Sequence, residues 1–372
     1  MTTRAVLVGA GHAHLLILAA ARRLRDAQVE PVLVAPRWFH YSGLATRVLS
    51  GALDPRAARL DVAALAARCG VRHLITQVEE VDCLQRQVAL SDGSSRDYDR
   101  LSLNVGSRSR DPHGLAHMEG VWAAKPLTNL VDLQAQVLAH VRRTGASPAL
   151  VVAGGGPTGF ELAAALAGLL ERQGIRPQVS LVAAAPAAWG SAGARHHLTL
   201  TLTKRGVGVV AGEVVARTEG ACALADGRSL ACDMLVLASG LEASPLMAEL
   251  GLPLDPEGRL RVAATLQSIG DQTVFAAGDC ATVEGQPRPA AGVFGVRAAP
   301  TLLRNLVAGP SRRLARYQPQ RRWLSIMDLG DGTSLALRGK AWGRGRWALW
   351  LKRRLDLGFL ARLRKARSGK PL

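Results

Sequence analysis

The chain has 372 residues, 48% of them hydrophobic and 20% charged, which is enough for two or three domains with cores of their own and too apolar for a disordered chain. Its five cysteines (Cys69, Cys83, Cys222, Cys232 and Cys280) are odd in number and lack CxxC spacing, which argues against a disulfide framework and against any metal site. Of the formal net charge of +18, +14 falls after Ser311, where 17 Lys/Arg face 3 Asp, so the basicity belongs to the tail and not to the body.

In chain order, Arg4 to Gly9 reads as a short apolar strand running into Gly-x-Gly, a helix from about His12 to Arg25, and a second strand at Val29 to Val34. This is a right-handed βαβ unit. A helix is expected over Asp61 to Cys69, and two strands flank the turn Ser91-Asp92-Gly93. A second βαβ unit starts with Ala149 to Ala153, passes Gly154 to Gly159, enters a helix from Phe160 to Arg172 and continues into a strand at Gln178 to Val182. Cys232 to Gly240 and Val274 to Gly278 read as buried strands ending in glycine. After Pro310 the composition turns to arginine and tryptophan. No apolar run approaches the roughly 18–20 residues of a membrane span, and Gly9, Gly11, His12 and His14 interrupt the N-terminal stretch where a signal peptide would be apolar. A cytoplasmic protein is expected.

Gly154, Gly156 and Gly159 match GxGxxG between a strand and a helix. The first glycine permits the tight turn, the second lets the backbone approach a pyrophosphate, and the third allows close helix–strand packing. The free N–H groups and dipole of the helix N-terminus favour the phosphates. The first cluster keeps Gly9 and Gly11 but has His14 in the third position. That imidazole needs wider helix packing or a place beside the bound phosphate. His12 is counted with the cofactor-binding positions, neither histidine reads as catalytic, and local packing explains both equally well. Neither unit carries the acidic residue that usually binds the adenosine ribose after the second strand. The first unit reaches Ala35-Pro36-Arg37 and the second Ala183-Ala184-Ala185, so NADH and NADPH stay open, with Arg195 a candidate for a 2′-phosphate. Finally, Gly278-Asp279 at the end of a buried strand places a carboxylate where parallel sheets bind ligands, able to accept from sugar-alcohol hydroxyls.

The set Gly9-x-Gly11, Gly154 to Gly159 and Ala277-Gly278-Asp279 resembles the FAD/NAD(P)-dependent pyridine nucleotide-disulfide oxidoreductase superfamily. Within it the chain looks like the type II NADH dehydrogenases. A narrower resemblance is to the flavoprotein domain that some bacteria fuse to selenide, water dikinase. It rests on Tyr41-Ser-Gly43, Tyr98 to Gly106, Lys125-Pro126, Ala291 to Arg297 and Tyr317-Gln-Pro-Gln320. The resemblance implies an α/β fold of two Rossmann-like dinucleotide-binding domains: a discontinuous FAD domain (1–120 and 270–310), an inserted NAD(P) domain (121–269) and a basic C-terminal region (311–372). By the same resemblance Gly9 and Gly11 cradle the FAD pyrophosphate, Val78 meets the adenine through its backbone, and Gly106 marks the crossing between domains. Gly278 and Asp279 hold the ribityl chain, and Val293, Phe294 and Gly295 sit at the flavin pyrimidine end. Gly154, Gly156, Thr158, Gly159 and Gly240 hold the nicotinamide dinucleotide. Glu161 matches an acidic, catalytic position near the nicotinamide, a solvated first-turn carboxylate being the less favoured alternative.

The implied activity is an NAD(P)H oxidoreductase, with hydride passing from nicotinamide C4 to flavin N5 and then electrons to a small-molecule acceptor, quinone among the candidates. Two departures bear on it. No cysteine pair lies beside the flavin motifs, which argues against thiol relay chemistry. The glutamines that contact quinone in type II dehydrogenases are replaced by Arg297-Ala298-Ala299, which puts quinone in doubt. The other class is a low-turnover flavin-binding accessory protein linked to selenium or sulfur metabolism. The tail, with Trp347, Leu351, Leu355 and Phe359 in i, i+4 spacing among arginines, reads as an interfacial helix on anionic membrane, as a structural cap, or, least favoured, as a nucleic-acid contact.

Overall fold

A computed structural model describes residues 2–184, 189–309 and 312–367. Two five-stranded parallel sheets organise the chain. The first has the order Val274–Ala276, Arg100–Leu103, Thr3–Val8, Val29–Val34, Arg72–Leu74. The second has the order Val121–Ala123, Met234–Leu237, Leu150–Ala153, Val179–Ala183, Val207–Ala211. Parallel strands need crossover connections that cover both faces, so their sequences are continuous apolar runs. Leu150–Ala153 and Met234–Leu237 are buried at every position. In each sheet the order reverses beside the glycine-bearing strand, which opens a crevice at its carboxyl end. The mixed α/β, Rossmann-like fold read from the sequence is the one observed.

Several boundaries differ. The first helix is two, His12–Ala19 and Arg22–Asp26, with a turn that lets both Ala21 and Leu24 reach the core. The chain returns to the first unit well before residue 269. Residues 241–243 already pair with Ser107–Ser109, and Ala243, Met247, Leu250, Leu260 and Val262 are buried in the first core.

The C-terminal region is a folded layer spanning both units, as the structural-cap reading expected. Leu324–Asp328, Ser334–Arg338 and Ala341–Gly345 form an antiparallel sheet, and helix Arg346–Lys365 follows. Met327, Leu329, Leu335 and Leu337 bury in the second core, and Leu360, Leu363 and Ala366 in the first. A Cβ at Gly330 would lie 2.6 Å from the Ala164 carbonyl oxygen, so glycine lets this turn rest directly on helix Pro157–Arg172. Of the stripe read from the sequence, Trp347 and Leu355 are exposed, while Leu351 and Phe359 are partly buried. The inward row is Ala348, Lys352, Asp356, Leu360 and Leu363, while Trp347, Trp350 and Leu355 face outward. Two charged residues, Lys352 and Asp356, lie on the inward face. They are compensated there: Lys352 Nζ lies 3.4 Å from Asp356 Oδ2, and Tyr41 Oη donates to Asp356 Oδ1 at 3.1 Å. Arg47 pairs with Asp328 at 3.2 Å in the same buried seam. Among the described residues no helix is long and apolar enough to cross a membrane.

Candidate functional site: two dinucleotide clefts

The first cleft opens where strand Thr3–Val8 meets helix His12–Ala19. Gly9 adopts φ +85°, and a side chain on Gly9 or Gly11 would run into Asn104. Asn104 Oδ1 accepts from Ala13 N (3.0 Å) and His14 N (3.2 Å), and its Nδ2 donates to the Ala277 carbonyl at 2.5 Å. One buried amide thus ties the glycine turn to the strand end that carries Gly278-Asp279. Asn104 had no role in the sequence reading. Its signal was a polar side chain at the end of a buried strand, which needs a partner inside the protein. Gly11 has no side chain of its own to cap the helix, and with Ala13 N and His14 N bonded to Asn104 Oδ1 and Leu15 N to the Gly11 carbonyl, the His12 N–H is the first-turn donor left for an anion.

His14 resolves as structural. Fully buried, it bonds through Nδ1 to the Gly9 carbonyl (2.6 Å) and through Nε2 to Ser102 Oγ (2.8 Å), and burial pushes its pKa down to about 4. His12 lines the cleft. Burial, opposed by nearby Asp279, lowers its pKa to about 4 as well, so it is neutral at physiological pH. Its ring packs against Phe39, Tyr41 and Phe359, the last from the C-terminal helix.

At the other wall Gly278 takes φ +81°, and Asp279 Oδ2 accepts from Ser107 Oγ at 3.0 Å and pairs with Lys125 Nζ at 3.2 Å. Lys125 Nζ also donates to Ser107 Oγ at 2.8 Å. Lys125 carries no motif of its own in the sequence. The fold brings it from the start of the second unit into the first cleft, a long-range contact that local pattern does not encode. The cleft encloses about 580 Å³, and Gly9, Gly11, His12, Val78, Gly106, Gly278, Asp279 and Gly295 line it. Val293 and Phe294 do not. Phe294 is fully buried against Trp323 and under the Arg288 guanidinium. A glycine cradle that a Cβ would fill, a helix N-terminus and a carboxylate at the far wall fit FAD.

The second cleft, about 440 Å³, repeats the design at Gly154, Gly156, Thr158 and Gly240. Gly154 has φ +138°, and a Cβ there would collide with the Ala238 carbonyl. A Cβ at Gly159 would collide with the Gly154 carbonyl, which is the close packing expected of the third glycine. Around Gly156, by contrast, nothing lies within 4 Å of a Cβ. That open space beside the N-terminus of helix Pro157–Arg172 fits a dinucleotide pyrophosphate. Arg195 does not reach this cleft: it donates to the Trp189 carbonyl at 2.5 Å, while Trp189 Nε1 donates to the Gly155 carbonyl at 2.8 Å. Ala185 lies outside the described residues.

Glu161 lines neither cleft. Its Oε1 accepts from Asp328 N at 2.8 Å, facing the C-terminal layer. Burial raises its pKa to about 7, with Lys352 pulling the other way. Cys280 is buried with Sγ toward the Leu103 and Ala277 carbonyls, and burial pushes its thiol up to about 11, far from a reactive thiolate.

The sequence matches the description pyridine nucleotide-disulphide oxidoreductase over residues 3–298. An NADH dehydrogenase-like protein of Mycobacterium tuberculosis (strain ATCC 25618 / H37Rv) is 34% identical over 295 residues, covering 75% of this chain and 73% of that protein. The type II NADH:quinone oxidoreductase Ndh of the same strain is 27% identical over 326 residues, 78% of this chain and 70% of that one. Among solved structures, the sulfide:quinone oxidoreductase of Aquifex aeolicus superposes with a TM-score of 0.81 at 16% identity, covering 99% of this chain and 93% of that chain. NDH2 of Plasmodium falciparum superposes with a TM-score of 0.79 at 13% identity, covering 98% and 99%. The chain is an NAD(P)H-dependent flavoprotein enzyme, and it belongs to the pyridine nucleotide-disulphide oxidoreductase family.

Proposed function

We propose that this protein is an FAD-dependent NAD(P)H dehydrogenase that delivers electrons to a quinone at an anionic membrane surface. The observation that carries the acceptor is helix Arg346–Lys365. It lays Phe359 on Tyr41 and His12 at the wall of the first cleft, with the Phe359 and Tyr41 ring centroids 5.4 Å apart, and turns Trp347, Trp350 and Leu355 to solvent among Arg346, Arg353 and Arg354. An apolar acceptor leaving a membrane would meet tryptophans at the surface and the Phe359 and Tyr41 rings at that wall. The likeness to a relative named as an NADH:quinone oxidoreductase supports the same acceptor, against the missing glutamines at Arg297-Ala298-Ala299.

Bound there, the flavin and the nicotinamide supply the redox chemistry. The backbone at Gly9 and Gly11 would hold the FAD pyrophosphate and Val78 the adenine. Gly106 would shape the crossing, and Asp279 would hold the ribityl hydroxyls. Val293, Phe294 and Gly295 would support the pyrimidine end by fixing the start of helix Gly292–Leu306. Gly154, Gly156, Thr158, Gly159 and Gly240 would hold the coenzyme. Glu161, poised near neutral pH beside Lys352, would hold a proton at the seam between the units. In a double-mixing experiment, flavin first reduced without oxygen should be reoxidised by a soluble quinone faster than by dissolved oxygen. Slower reoxidation by quinone would remove it as the acceptor.

The membrane contact has its own test. Trp347→Ser with Trp350→Ser, both exposed, should keep the FAD yet bind anionic vesicles at least about tenfold more weakly than the parent, by loss of interfacial tryptophans. Parent binding should fall as salt screens the arginines. Unchanged binding in the double variant, or parent protein that ignores vesicles and retards nucleic acid instead, would reject the membrane reading. Truncation after Arg338 is a poor test, because it removes Leu360 and Leu363 from the first core.

The second reading, a low-turnover flavin-binding accessory protein linked to selenium or sulfur metabolism, rests on the likeness of Tyr41–Gly43, Tyr98–Gly106, Lys125-Pro126, Ala291–Arg297 and Tyr317–Gln320 to the domain fused to selenide, water dikinase. Tyr317 Oη donates to the Phe294 carbonyl at 3.3 Å, fixing that stretch beside the first cleft.

A further inference from the structure

The second cleft lacks an acid where one is usual, but an acid stands one strand away. Strand Val179–Ala183 delivers Ala184 to the cleft, and residues 185–188 are Ala-Pro-Ala-Ala, without a charge. The parallel neighbour Val207–Ala211 pairs with it in register, Ala183 beside Ala211, and Gly212 N donates to the Ala183 carbonyl at 3.0 Å. Glu213 therefore emerges from the same sheet edge as Ala184, displaced by about one strand spacing of 4.8 Å, and it lines the cleft. Resting on the reading of this cleft as the coenzyme site, we infer that Glu213 is the carboxylate at its adenosine end and makes the protein selective for NADH over NADPH.

The charges around the cleft agree. NADPH differs from NADH by a phosphate on the adenosine 2′-hydroxyl, which an arginine accommodates and a carboxylate repels. Of the arginines near this edge, Arg228 is paired with Asp226 at 2.7 Å, and Arg195 is turned to the Trp189 carbonyl. Arg110 lines the cleft, but its backbone N–H is fixed to the Gly240 carbonyl (3.0 Å), beyond strand Met234–Leu237, three strands from Glu213 in sheet order. The loop from Arg110 crosses the cleft and brings His113 Nε2 to 3.0 Å from Glu213 Oε1. Asp111, the other acid at the cleft, is occupied with Leu115 N (2.9 Å) and Ala116 N (2.7 Å). Half its side-chain surface exposed, Glu213 has only His113 as a side-chain partner among the described residues and is placed to accept a ribose hydroxyl.

The test is calorimetric titration of the FAD-loaded protein with ADP-ribose and with its 2′-phosphate. The parent should bind ADP-ribose at least about tenfold more tightly. Glu213→Gln should lose most of that preference, and Glu213→Arg should reverse it, each with the FAD content and thermal midpoint of the parent. Equal binding of the two ligands by the parent, or an unaltered ratio in Glu213→Arg, would overturn the assignment. Binding is read here without reduction, so a flavin that fails to bleach would count against the dehydrogenase while this titration still decides the role of Glu213.

Discussion

Asp279→Ala should yield a folded protein that has lost most of its flavin. The carboxylate is largely buried and accepts from Ser107 and Lys125, so it is already oriented before a ligand arrives. Its removal takes away an ionised acceptor worth about 1.5–3 kcal/mol toward ligand hydroxyls, or about 10–100-fold in retention. It also leaves Lys125, about one quarter exposed, without its counter-ion. The ratio of flavin to protein absorbance, with FAD released on denaturation, measures the loss, and the thermal midpoint checks the fold. Asp279→Asn keeps one acceptor oxygen and should fall between the two. Full flavin occupancy in the alanine variant would show that Asp279 does not hold the cofactor.

Gly156→Val should do the opposite, keeping the flavin and losing the coenzyme. Gly156 has φ −79° and ψ 175°, which any residue adopts, and a Cβ there meets no protein atom within 4 Å. The branched side chain would instead occupy the space in front of the helix N-terminus, where the pyrophosphate belongs. Flavin reduction by NAD(P)H should slow by at least about 100-fold through misplacement of the coenzyme, with FAD content and thermal midpoint as in the parent. Gly159→Val marks the contrast: its Cβ would strike the Gly154 carbonyl, so that variant should lose stability as well. A Gly156→Val protein that reduces normally would place the coenzyme elsewhere.

What could be read from the sequence was local chemistry. Gly9, Gly11, Gly154, Gly156 and Gly159 sit at strand–helix turns whose backbone demands are written in consecutive residues, and Asp279 follows a buried strand. What could not be read depends on distant chain segments meeting. Asn104 matters because it bridges the glycine turn and Ala277, 173 residues away from it. Glu213 becomes informative only once Val207–Ala211 is seen beside Val179–Ala183. The C-terminal helix could be read as a cap or as an interfacial helix because periodicity looks for an apolar inner face, and Lys352 and Asp356 lie on that face with partners from Tyr41 and each other. His14 stood in a glycine position because a pocket between the Gly9 carbonyl and Ser102 receives its ring.

The central claim is that the two clefts form one electron path, from coenzyme to flavin. Anaerobic stopped-flow mixing of the FAD-loaded protein with saturating NADH, and separately with NADPH, tests it most directly. At least one coenzyme, NADH in this account, should bleach the oxidised flavin band rapidly and completely, and the Gly156→Val protein should keep its colour. A flavin that stays oxidised through prolonged exposure to both coenzymes would contradict the account.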